Sequence, residues 1–100
     1  MGGLLTIILG AVGPLSAGLA ALPHGSSQAD YAIVRELALY RRCYLAKERT
    51  CANAAQIAIV GLSPQILPRA AAMIPVLWEA RTRFEISLAI ALIRREMEPQ

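Results

Sequence analysis

Cys43-Tyr44-Leu45-Ala46-Lys47-Glu48-Arg49-Thr50-Cys51 is the stretch whose geometry decides the fold, because its two cysteines stand eight positions apart. On one continuous helix that spacing separates them by ~12 Å, whereas a disulfide needs Cα atoms within ~7 Å. Two readings follow, and the residues leave both open. In one, the thiols are paired, the chain turns over residues 46–50, and Thr50 caps the helix that follows. In the other, a straight helix carries two free thiols. The first reading makes the chain a hairpin, with one arm over residues 3–45 and the other over 51–97.

Upstream of the turn, residues 28–45 read as an amphipathic helix. Ser27, with Asp30 three positions later, resembles a capping box. Ile33, Leu37, Tyr40 and Tyr44 then recur at helical spacing as an apolar stripe. Arg35, Arg42 and Arg49 follow a heptad on another face, which suits a solvated surface, a polar channel or a phosphate surface. Before this helix, from Met1 to Ala29, there is no Asp, Glu, Lys or Arg. Residues 3–22 are a 20-residue apolar stretch, the length that spans ~30 Å of hydrocarbon as a helix. Gly13-Pro14 predicts a kink, which a membrane helix tolerates. No basic region precedes the stretch, so a retained span is expected rather than a secretory leader. Met1-Gly2-Gly3-Leu4-Leu5-Thr6 also fits the loose N-myristoylation pattern, although the segment is apolar enough to insert unaided.

Downstream, residues 52–68 are again uncharged. Within them Gly61-Leu62-Ser63-Pro64 carries a stop-and-restart signature: a glycine past a helix end, a serine cap, then proline at the first helical position. The spacing predicts apolar helices over 51–62 and 69–97, with Pro75 early in the second. Between two apolar blocks of that last helix lies a charged belt of Glu79, Arg81, Arg83 and Glu85. A central charge in lipid costs at least ~2.5 kcal/mol, so the belt must be paired. Glu79 and Arg83 have the favourable order for an i,i+4 pair, and the belt's partners are expected to be charges on the same or on adjacent chains.

Composition agrees with an existence beside lipid or other subunits. Of 100 residues, 56% are apolar and 17% charged, against about 45–50% and about 25% in typical soluble domains. The chain is long enough for one domain, which folded alone in water buries only ~60–70% of its surface. Aromatics are 5% of the chain, and the apolar content is mainly Ala, Leu and Ile. Such composition favours close approach of helix backbones over an aromatic-rich globular core. No segment alternates like a strand. The expected fold is therefore all-α: a long broken helical hairpin of three to four helices over residues 1–100, membrane-inserted or polymer-packed. The net charge of +3 arises mostly around the turn, where Arg41, Arg42, Lys47 and Arg49 would suit a face toward anionic lipid headgroups.

Residues for catalysis are sparse. His24 is the one histidine, and its Pro-Gly-Ser surroundings mark it as a loop residue. The chain has no recognised phosphate loop and no CxxC. Two cysteines and a distant His24 are too few for a metal site. A non-enzymatic chain without a cofactor is expected.

The layout resembles the small hairpin pilins of conjugation-type secretion systems and of archaeal DNA-import pili. Residues 3–22 correspond to a first apolar arm, Arg41-Arg42-Cys43-Tyr44-Leu45-Ala46-Lys47-Glu48-Arg49 to a basic turn, and residues 52–93 to a second arm. The charge over residues 30–40 and the Glu79, Arg81, Arg83 and Glu85 belt depart from that pattern, which contains no diagnostic motif. The resemblance implies a structural subunit of a helical filament acting as a conduit for DNA, with the basic turn toward the lumen. It further implies a bound phospholipid, membrane localisation before polymerisation, and an extracellular filament afterwards. The implied partners are copies of the chain, membrane lipid, and single-stranded DNA bound without sequence preference. Two other functions fit the same composition: an accessory membrane subunit of a large complex such as a respiratory enzyme, and the helical coat protein of a filamentous virus.

Overall fold

A computed structural model describes residues 27–98, whose regular elements are all helices with no strand among them. The expected span at 3–22, the acylation pattern and His24 lie outside the described residues. No helix among the described residues is long and apolar enough to cross a membrane.

Helix α1 runs over Gln28–Leu45. It starts where the sequence places a cap: Ser27 Oγ accepts from the Asp30 amide at 3.1 Å, and the Asp30 carboxylate accepts from the Ser27 amide at 3.2 Å. Two amide donors that the first turn would otherwise leave unpaired are thereby satisfied. Ile33, Leu37, Tyr40 and Cys43 form its buried face. Tyr44, expected in the same stripe, is only half-buried.

Helix α2, Arg49–Leu62, folds back on α1. It buries Ala52, Ala55 and Ile59, so small side chains at two of three contact positions let the two helices approach closely. The turn is shorter than expected. It occupies Ala46, Lys47 and Glu48, and α2 already begins at Arg49, so Thr50 lies inside the helix and does not cap it. The last turn of α1 closes with two bonds: Glu48 N–H to the Cys43 carbonyl at 2.9 Å, and Lys47 N–H to the Tyr44 carbonyl at 3.0 Å. This is the Schellman arrangement, which requires a left-handed residue after the cap. Lys47 takes that conformation, with φ 61°.

The second arm differs from the uninterrupted helix expected over 69–97. Gly61 does not stop α2, which continues to Leu62. Ser63 does not cap; its hydroxyl donates back to the Val60 carbonyl at 2.8 Å inside a short 3-10 turn over Ser63–Gln65. Three helices follow: α3 (Pro68–Ala71), α4 (Ile74–Glu79) and α5 (Arg83–Glu96). The α4–α5 break has a local cause in Thr82-Arg83-Phe84-Glu85. Thr82 Oγ1 accepts from the Glu85 amide at 3.1 Å while Glu85 Oε1 accepts from the Thr82 amide at 3.2 Å, a second capping box. Ala80 is already extended, with φ −72° and ψ 136°.

Helix α5 packs on α1, α3 and α4 through Ile86, Ala89 and Ile93. With Ile33, Leu37, Ile59 and Leu77 these residues make one core, and each fully buried Leu or Ile contributes roughly 1.5–3 kcal/mol by leaving water. Arg69 ties the start of α3 to the end of α5. Its Nε lies 3.3 Å from Glu96 Oε1 and its Nη2 donates to the Glu98 carbonyl at 2.7 Å.

Candidate functional site at the hairpin tip

The α1–α2 turn brings Cys43 and Cys51 to disulfide distance, with Cα atoms 5.7 Å apart. That excludes the straight helix, since continuous helix would hold them about twice as far apart. Cys43 is buried against the core and Cys51 is half-buried. The Glu48 carboxylate lies near both sulfurs.

The four basic residues of the turn do not form one patch. Tyr40 and Tyr44 project from one side of α1, and Arg41 and Arg42 from a side roughly 100–200° around the helix. Two hollows result. In the first, a cleft of about 740 Å³, Lys47 and Arg49 meet Arg81 from the α4–α5 linker, together with Tyr40, Tyr44 and Trp78. In the second, of about 470 Å³, Arg41 and Arg42 meet Arg83 at the start of α5. Arg41 is held there by a bond from its Nε to Ser87 Oγ at 2.9 Å. Arg49, placed with Arg35 and Arg42 on one heptad face by spacing, instead opens α2 across the turn.

The belt residues are likewise redistributed. Glu79 ends α4 and Arg83 begins α5, so the i,i+4 pair expected between them does not exist. Among the described residues no ion pair involves Glu79, Arg81, Arg83 or Glu85; the ion pair present is Arg69–Glu96. Backbone groups satisfy two of the four. Glu85 Oε1 accepts from the Arg81 amide at 2.8 Å and from the Thr82 amide, and these bonds hold its carboxyl below the usual carboxylate value. Arg81 Nη1 donates to the Trp78 and Ala80 carbonyls at 2.8 and 3.2 Å, which fixes the guanidinium at the rim of the cleft.

Aromatic contacts build the wall of that cleft. The Tyr40 and Trp78 rings meet edge to face with centroids 5.2 Å apart, and Tyr44 lies 5.8 Å from Tyr40. Burial raises the Tyr40 phenol above its ordinary value; nearby Tyr44 adds to this and the Arg81 charge opposes it. Sequence periodicity identifies Tyr40 and Tyr44 as neighbours on one helix but offers no sign that Trp78 joins them. Its arrival depends on how α4 folds back. Compared with protein-family models, curated proteins and solved structures, the chain matches none of them.

Proposed function

We propose that the chain is a structural, non-catalytic subunit that packs against further copies of itself beside a membrane. In its specific form the assembly is a helical filament of the hairpin-pilin kind, carrying DNA past the basic turn. The observation that supports assembly is the outward apolar surface: Phe84 is 74% exposed and Ile57 is 73% exposed, with Val60, Val76 and Leu88 exposed on the same helices or their neighbours. Such residues on α2, α4 and α5 add to the 20-residue uncharged stretch near the start of the chain. Large apolar side chains left exposed on several helices suit burial against neighbouring subunits. Lys47, Arg42 and Arg49 remain exposed and suit phosphate contact without base readout.

Electron microscopy and sedimentation of the detergent-extracted chain test this reading. Regular filaments of one protein are expected, with Phe84→Ser or Ile57→Ser shifting the material toward smaller species. A stable monomer, or a particle containing many different chains, overturns self-assembly and favours the accessory-subunit function. Filaments that leave added single-stranded DNA nuclease-sensitive and unbound retain the structural role and remove the conduit.

A further inference from the structure

The cleft between α1, the start of α2 and the end of α4 holds polar groups that the described residues leave without partners. Tyr40 is 4% exposed, yet its hydroxyl makes no hydrogen bond with any described residue, although it lines the cleft. Tyr40 borders the cleft, so its hydroxyl is open to water there and available to a group that enters. The Tyr44 hydroxyl and the Trp78 indole N–H, at the same cleft, have no partner among the described residues either.

Two further features set the chemistry of that group. The first-turn amides of α2 have no acceptor within the helix and carry the positive end of its dipole, and no side chain caps them. Lys47, Arg49 and Arg81 surround the same space, opposed by the single carboxylate of Glu48. Cations and free amides at a helix start select an anion, phosphate above all. Aromatic faces beside the cations select a planar ring. The volume of about 740 Å³ falls in the ~300–1,000 Å³ range of small-molecule sites.

We propose that this cleft binds a phosphate ester bearing an aromatic ring, of the size of a nucleoside monophosphate. The phosphate sits among Lys47, Arg49 and Arg81 at the α2 start, and the ring lies against Tyr44 and Trp78. This goes beyond the assembly reading and does not require it, because every residue named belongs to one chain.

Trp78 is the sole tryptophan, so its fluorescence reports the cleft directly. The purified full-length chain is titrated with adenosine monophosphate, adenosine, inorganic phosphate, and phosphatidylglycerol vesicles. Adenosine monophosphate is expected to give a saturable change, with adenosine and inorganic phosphate each at least about tenfold weaker, since each supplies half of the recognition. Arg49→Gln is expected to weaken that binding about tenfold with an unchanged helical spectrum, whereas Arg95→Gln, exposed on α5, leaves it unaltered. Lys47→Gly provides a second loss of cleft charge in a variant that suits the turn, should Arg49→Gln unfold. The proposal is overturned by any of three results: no saturable response to adenosine monophosphate, equal affinity in both cleft variants, or saturation by phosphatidylglycerol vesicles alone. Equal affinity for inorganic phosphate overturns the aromatic half.

Discussion

Arg41 and Ser87, 46 positions apart, are joined by a 2.9 Å hydrogen bond from the arginine Nε to the serine hydroxyl. The bond locks α5 against the outer side of α1 and diverts Arg41 from the tip. A charged donor to a neutral acceptor at a half-buried site contributes roughly 1–2 kcal/mol. Ser87→Ala is therefore expected to lower the urea midpoint by that equivalent with an unchanged slope. An unchanged midpoint would mean that the contact carries no stability.

The Cys43–Cys51 pair is expected to be oxidised wherever the protein works outside a reducing cytosol. Closing so short a loop stabilises by roughly 2–3 kcal/mol on the chain-entropy model. Mass measurement after alkylation, with and without reductant, gives the state of the thiols. Two freely alkylated cysteines in the native, unreduced protein would remove the staple. Cys43→Ala with Cys51→Ala should retain the hairpin at reduced thermal stability, because the Schellman bonds are made by the backbone and Ile33, Leu37, Ala52, Ala55 and Ile59 remain in the core.

Lys47 occupies the left-handed region at φ 61°, where a side chain costs roughly 1–2 kcal/mol relative to glycine. Glycine loses part of that advantage through its freer unfolded state. Lys47→Gly should raise stability by about 0.5–1 kcal/mol, measured by denaturant unfolding. A destabilised variant would show that the lysine side chain makes a contact that outweighs the backbone preference.

Thr82 and Glu85 hold the start of α5, and their loss has separable signatures. Thr82→Ala removes the cap and is expected to cost about 1 kcal/mol. Glu85 titrates below its ordinary value of 4.5 because the Arg81 and Thr82 amides donate to its charged form. Its stabilising effect is thus complete above that value and is lost as pH falls through the lowered folded-state value. Glu85→Gln should flatten the stability profile in that acidic window while leaving its shape near neutrality unchanged. An identical acid limb in both proteins would assign the acid sensitivity to other carboxylates.

Much of the local structure was legible in the sequence because its causes are local. Ser27 and Asp30 sit three residues apart, and their capping box forms from that spacing alone. Ile33, Leu37 and Tyr40 recur with the helical period, so one face of α1 had to be buried. The cysteine spacing reduced residues 43–51 to two geometries, and the fold of α2 back on α1 selects the hairpin. Thr82-Arg83-Phe84-Glu85 is an equally local signal for the α4–α5 break. Counting apolar residues across it instead suggests one long helix, since apolar blocks flank the charges on both sides.

Local pattern was enough for the helices among the described residues, the capped start of α1, its buried stripe, and a concentration of positive charge near residue 45. Tertiary structure alone decided which charges share a surface. Arg81 joins Lys47 and Arg49, Arg83 joins Arg41 and Arg42, and Trp78 completes the aromatic wall beside Tyr40. Helical period and cap spacing act over a few residues, whereas these meetings depend on the directions in which the linkers at 63–67, 72–73 and 80–82 send the helices that follow. Each such direction is selected by burial of Ile74, Leu77, Ile86 and Ile93 against a core contributed by α1 and α2. No periodicity within a single segment contains that information, because the surface that selects the direction belongs to residues tens of positions away.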